Sequence, residues 1–211
     1  MTASTTHRLQ TFERLRWIHH ARRAVFRVET PTQGTVFMSM RESDLYSIVE
    51  VDATRLLNLW RHPETELSGL AYGTPASWRE DRKFGDAQDG FDDGESNPVP
   101  LALVTCRRRS RIDRQPGLAE SARQAAFEFT NGVTRTMWPL ANGARVFPMS
   151  CGIAEAPLLY EMAGAAAGGH CRVDELVLHY RSDDERFAEL EASNAMVLQA
   201  NEERDRRRRG L

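Results

Sequence analysis

The stretch Phe127-Glu128-Phe129-Thr130-Asn131-Gly132-Val133-Thr134-Arg135 decides how this chain is read. Phe127 and Phe129 alternate with polar residues, which is the period of a strand with one buried face. Asn131-Gly132 is the strongest short turn signal, yet no second strand follows at hairpin distance. Thr136-Met137-Trp138-Pro139-Leu140-Ala141 instead suits a short helix that Pro139 kinks or cuts short, and Asn142-Gly143 stops it. Val146–Cys151 returns to an apolar strand. Ala122 to Cys151 is therefore expected to run strand, turn, helix, strand. A strand that turns on glycine into a helix N-terminus offers backbone N–H groups at the positive end of the helix dipole, which favours an anion. Asn131, Gly132, Thr134 and Arg135 are the candidate phosphate-binding residues. Arg135 falls in the first helical turn, where its guanidinium either clamps an anion or makes a structural contact.

Outward from this segment the chain reads as mixed α/β. His7 to Arg23 can form a helix with Leu9, Phe12, Leu15 and Ile18 near one face. Val25–Glu29 and Thr35–Met40 are expected strands, joined by turn chemistry at Thr30-Pro31-Thr32-Gln33-Gly34. Ser47–Val51 is a third strand, after which Asp52 caps a helix from Ala53 to Arg61. Residues 62–97 are rich in Gly, Pro, Asp and Glu with no lasting period, so a long irregular insertion is expected. Val99–Cys106 reads as one strand, Glu155–Ala163 as a helix and Glu175–Tyr180 as a strand. Ser182-Asp183-Asp184-Glu185 has capping-box spacing and starts a final helix. The expected organisation is a tail and helix over 1–23, one α/β domain over 24–181 carrying the 62–97 insertion, and a C-terminal helix with a basic tail over 182–211.

With 41% hydrophobic and 27% charged residues the composition is that of a soluble globular protein, and a net charge of -2 gives no overall pull toward nucleic acid or membrane. The charge is uneven. Residues 106–114 hold five arginines against Asp113, a balance of +4; residues 64–97 hold nine carboxylates against Arg79, Arg82 and Lys83, a balance of -6. Arg107, Arg109 and Arg111, at alternate strand positions, would share one face and are the candidate nucleic-acid contacts; Arg108 and Arg114 belong to the same run. The competing reading is a solvated strand end. Arg206–Arg209 suit a solvated helix C-terminus. The three cysteines, Cys106, Cys151 and Cys171, are widely spaced, which argues for a reducing, cytoplasmic setting. His170-Cys171 lacks the spacing of a zinc site, so no resident metal is expected. Asp86, Asp89, Asp92, Asp93 and Glu95 fail the EF-hand pattern and leave only a loose magnesium site open. Met149-Ser150-Cys151-Gly152 is not a hydrolase nucleophile elbow. No window approaches the apolar length of a membrane span, so direct membrane insertion is not expected.

Gly132, Arg135, Gly143, Ala144, Phe147 and Pro148, in that order across a strand, short helix and second strand, resemble the signature of the ParB/sulfiredoxin-fold superfamily. Sulfiredoxin chemistry needs a cysteine in the turn, where this chain has Val133, so that activity is rejected. No helix-turn-helix of a partitioning ParB protein is found. The wording from Thr130 to Met149 is most similar to plasmid fertility inhibition factors, the Osa/FiwA-like members of that superfamily. That resemblance implies a ParB/sulfiredoxin-like fold and a block on conjugative transfer of a co-resident plasmid. It implies contact with a conjugative coupling ATPase or type IV secretion component, and recruitment to the inner membrane through that partner. It also implies ATP or CTP binding, with Mg, and ATPase or DNase activity. The readings carried forward are an inhibitor that binds the transfer machinery, a nucleotide-dependent ParB-like DNase acting on DNA, and a non-catalytic nucleotide-binding module.

Overall fold

Alternating Val, Phe, Met and Ile side chains build two sheets, and the chain passes between them three times. The computed structural model describes residues 9–18, 21–63, 65–108 and 125–180. By internal contacts the chain divides into a unit ending at Val177 and a second beginning at Leu178. The final helix expected from Ser182, Arg206–Arg209, and Arg109, Arg111 and Arg114 all lie outside the described residues.

The first sheet holds β1 (Phe12–Ile18), β2 (Ala21–Thr30), β3 (Gly34–Arg41) and β5 (Val99–Pro100), in the order β1-β2-β3-β5. The helix expected over His7–Arg23 is instead β1 and the start of β2. The reason is a bulge between Phe12 and Arg14. It adds one residue and so places Phe12 and Leu15, three apart, on the same face. A helical spacing is thus produced by an interrupted strand. Phe12 lies edge-on to Phe26 at 6.0 Å, and Arg14 and Arg16 pair with Glu95. The β2–β3 turn is as expected, with Gly34 at φ +70.

The second sheet has the order β7-β6-β8-β4-β9, from β4 (Tyr46–Asp52), β6 (Leu103–Arg108), β7 (Ala125–Asn131), β8 (Val146–Gly152) and β9 (His170–Arg172). Asp52 caps α1 (Ala53–Trp60), its carboxylate accepting from the Arg55 N–H at 2.9 Å. Glu50 is wholly buried in β4. Its Oε1 accepts from Thr11 N at 2.6 Å and Thr11 Oγ1 at 2.7 Å, and its Oε2 from Gly169 N at 3.2 Å. These bonds engage both carboxyl oxygens and hold the N-terminal segment to the loop before β9.

The single strand expected over Val99–Cys106 is split between the sheets. Met38 pairs with Val99 and Ser39 with Pro100 in the first sheet, whereas Leu103 pairs with Ser150 and Val104 with Cys151 in the second. Pro98 and Pro100 cannot donate to a ladder, which keeps the first half short. Leu101 and Ala102 form the crossover. Leu101 N donates to Ser39 O, and Ala102 O accepts from both Ser150 N and Ser150 Oγ, each at 2.9 Å.

Residues 62–97 are not irregular. They form a 3-10 turn (Ser68–Tyr72), α2 (Pro75–Arg79), α3 (Phe84–Asp92) and a 3-10 turn (Gly94–Ser96), with Trp78, Phe84 and Phe91 buried. Each element is too short to display a period, and short local signals define it instead. Thr74 and Ser77 form a capping box with Pro75 in the first turn. α4 (Val133–Ala141) and α5 (Ala156–Ala163) follow the expected helices closely. The strand expected at Glu175–Tyr180 is helix α6 (Val173–Tyr180). Val173, Leu176 and Val177 are buried at i, i+3 and i+4, and Asp174 and Glu175 sit at the favourable end of the helix dipole.

Gly132 is a tight point of this frame. It has φ +89, and a Cβ there would lie 2.8 Å from Ala102 Cα and 2.9 Å from Ala102 Cβ. Gly132→Ala combines a left-handed backbone with overpacking against the crossover, and should cost about 2–4 kcal/mol. Urea denaturation reads this directly, and a midpoint equal to that of the wild type would show that the turn tolerates a side chain.

Candidate functional site

β7 delivers the turn to its place through its aromatic face. Phe127 and Phe129 share that face, their ring centroids 5.1 Å apart, and Phe129 meets Trp60 of α1 edge-on at 4.7 Å. Asn131 closes the strand, Gly132 reverses the chain, and α4 begins at Val133. Thr136 N and Oγ1 both donate to Gly132 O, at 3.0 and 3.1 Å. The first-turn N–H groups of Val133, Thr134 and Arg135 have no acceptor within the helix, as at any helix start.

Asn131, Gly132, Thr134 and Arg135 lie along one wall of a cleft of about 470 Å³. The opposite wall comes from the 62–97 segment and the strand after it, with Lys83, Asp86, Asn97 and Pro98. Sequence reasoning missed this second wall. One signal was available, since Lys83 is the only lysine in the chain. Its ammonium makes no ion pair with any described residue.

Arg135 is in the first turn of α4, but its guanidinium is largely committed to the fold. Nη1 donates to Pro100 O at 2.8 Å and Leu101 O at 3.2 Å, and Nη2 donates to Asn131 Oδ1 at 2.8 Å. Half-burial lowers its pKa from the ordinary guanidinium value, which leaves it charged at neutral pH. The planar fork spans the crossover and the turn together, a geometry that an ammonium cannot reproduce.

Of the arginine run, Arg107 and Arg108 are described, and both are exposed. Arg107 Nε donates to Glu155 Oε1 at 2.8 Å, and Arg108 Nη2 to Glu161 Oε2 at 3.1 Å. The hydrogen bond with Glu155 raises the Arg107 pKa further. Both cations therefore face carboxylates of the segment that ends in α5.

The three thiols are buried. Burial, helped by Glu155 near Cys106 and Cys151 and by Glu175 near Cys171, pushes each from an ordinary 9 up to about 12. With Val133 confirmed at the turn, none is placed as a nucleophile there. Among the described residues no three His, Cys, Asp or Glu side chains group as a metal site, and no helix is long and apolar enough to cross a membrane.

A family model described as "Plasmid Fertility inhibition factor" matches residues 48–164, from β4 through α5 and so across the whole cleft. Among solved structures, the chain is similar to the crystal structure of Oncogenic Suppression Activity Protein, described as a plasmid fertility inhibition factor and solved as a gold(I) cyanide derivative. The two share 26% sequence identity over 82% of this chain and 84% of that one, with a TM-score of 0.60. No curated protein matches the chain.

The raised thiol values carry a sign. In the folded protein the thiols stay neutral up to about 12, whereas unfolded thiols ionise near 9. Their contribution to stability is therefore intact below pH 9 and lost as pH rises from 9 toward 12. Wild type should lose stability more steeply across that window than a variant with Cys106→Ala, Cys151→Ala and Cys171→Ala, and iodoacetamide at pH 8 should label only the unfolded chain. Rapid native labelling would contradict the burial.

Proposed function

Since the chain belongs to the plasmid fertility inhibition factor family, we propose that it blocks conjugative transfer of a co-resident plasmid by binding a component of the transfer machinery, its coupling ATPase or another type IV secretion component. The family match over residues 48–164 carries the reading, and the similarity to a crystallised plasmid fertility inhibition factor supports it. The described cations support binding over DNA cleavage. Arg135 is bonded to the crossover, and Arg107 and Arg108 to Glu155 and Glu161. A binder asks only for a complementary surface, and the acidic 64–97 segment supplies one of strong sign. A partner in the secretion apparatus would bring the chain to the inner membrane without inserting it. Expressed in donor cells, the protein should lower transfer of a susceptible plasmid while leaving that plasmid intact and replicating. Mating assays across several incompatibility groups check this. Unchanged transfer in every group, together with magnesium-dependent cleavage of plasmid DNA by the purified protein, would put the DNase reading first.

The cleft favours a second reading, a non-catalytic nucleotide-binding module. Its volume suits a small polyanionic ligand. The Asn131–Thr134 turn offers backbone N–H groups, Lys83 an ammonium with no ion pair among the described residues, and Asp86 a carboxylate that could share Mg with phosphate oxygens. ATP or CTP with Mg is the ligand class. Lys83→Ala should weaken binding at least about tenfold, the scale of one charge-assisted hydrogen bond. Calorimetry with wild-type protein that finds neither nucleotide bound at millimolar concentration would leave the turn a purely structural role.

A further inference from the structure

Leu67 has φ +58 and ψ +21, and among the described residues it is the one non-glycine with positive φ. A left-handed leucine crowds its Cβ against the backbone, so glycine or asparagine is what this position would carry for stability alone. Glycine is used at Gly69 within the turn that follows and at Gly73 just after it. The leucine is not retained for core packing, since it is 48% exposed and is not among the partly buried apolar residues that pack on the core. Tyr72, at the other end of the 3-10 turn Ser68–Tyr72, is 65% exposed.

That turn is rigid. Ala71 is fully buried. Trp78 Nε1 donates to Leu70 O at 2.7 Å, and Leu70 N to Leu67 O at 2.9 Å. Arg61 braces Tyr72 from beneath. Its guanidinium lies 5.5 Å from the ring centroid, its Nε donates to Ala71 O at 2.9 Å, and its carbonyl accepts from Tyr72 Oη at 3.2 Å. Two apolar side chains are therefore displayed on a scaffold already in one conformation, which reduces the ordering cost of association, and a braced tyrosine is an effective anchor. Strain kept at an exposed apolar residue points to a function for that residue. The surroundings set the partner's chemistry. Glu66 is exposed beside Leu67, and residues 64–97 carry a balance of -6.

We propose that Leu67 and Tyr72 form a preorganised apolar knob by which this chain docks onto a partner protein whose surface presents an apolar notch bordered by basic residues. The proposal rests on the binder reading above and names its surface. A second copy of this chain is a poorer occupant, because it would bring two acidic segments together.

The test uses the full chain in donor cells with a conjugative plasmid that the wild type inhibits, alongside thermal denaturation and size-exclusion chromatography of the purified variants. Leu67→Gly and Leu67→Asn should keep or raise Tm, since both residues accept the left-handed backbone, yet lose at least about tenfold of the inhibition, as expected for a central interface anchor. Tyr72→Ala and Glu66→Lys should lose it likewise. Leu45→Ser, which alters a still more exposed leucine between β3 and β4, should keep it. Full inhibition by the Leu67 variants would overturn the proposal, as would a sharp fall in their Tm, which would make Leu67 structural. A concentration-dependent dimer of the wild type that the variants lose would assign the knob to self-association instead. Inhibition by the wild type that survives all four substitutions would reject this surface and leave the binder reading standing, whereas a wild type without inhibition in any plasmid group would overturn both.

Discussion

Between Pro100 and Leu103 the backbone leaves one sheet for the other, and its carbonyl groups need donors that no regular ladder supplies. Ser150 satisfies Ala102 O twice over, and the Arg135 fork satisfies Pro100 O and Leu101 O. Because Arg135 also holds Asn131, the crossover and the β7–α4 turn are fixed by one side chain. The closeness this demands is what excludes a Cβ at Gly132. α4 is thereby set in place, and the helices of the 62–97 segment pack on it. Phe91 stacks on Trp138 at 4.0 Å, Gln88 accepts from the Trp138 indole at 2.9 Å, and Arg79 donates to Ala141 O and Asn142 Oδ1 at 3.2 and 3.1 Å. The turn, the cleft and the acidic surface are consequences of that single junction.

The sequence made the centre of the fold legible because its signals there are local and strong. Asn131-Gly132, the Phe127/Phe129 alternation and Asp52 before an amphipathic run each name an element without tertiary information. Where reading failed, the deciding contact was distant or the element too short. The bulge at Phe12–Arg14 imitates a helical period, and only pairing with β2 reveals a strand. Val99 to Cys106 looks continuous, but its two halves answer to different sheets. The helices between residues 62 and 97 take their stability from α4 and from buried Trp78, Phe84 and Phe91, so no period marks them. One wall of the cleft was readable from Gly-x-x-Arg spacing. The wall with Lys83 and Asp86 was not, because it is joined to the first only by folding.

The same separation bears on function. Arg135, Arg107 and Arg108 were natural candidates for phosphate because arginine runs and helix starts attract anions, yet the structure gives each an acceptor within the chain. Lys83, on the opposite wall of the cleft, has no such acceptor among the described residues. The backbone strain at Leu67, with the exposure of Tyr72, lies on the outer acidic segment rather than on the junction.

The Arg135 guanidinium serves first to close the junction between the sheets. Urea denaturation of Arg135→Lys tests it most directly, because lysine keeps the charge at this cleft but cannot reach Pro100 O, Leu101 O and Asn131 Oδ1 together. The account predicts a loss of about 1.5–3 kcal/mol, the scale for hydrogen bonds to a charged group. Stability equal to that of the wild type would mean that the fork is held for a ligand and that the junction closes without it.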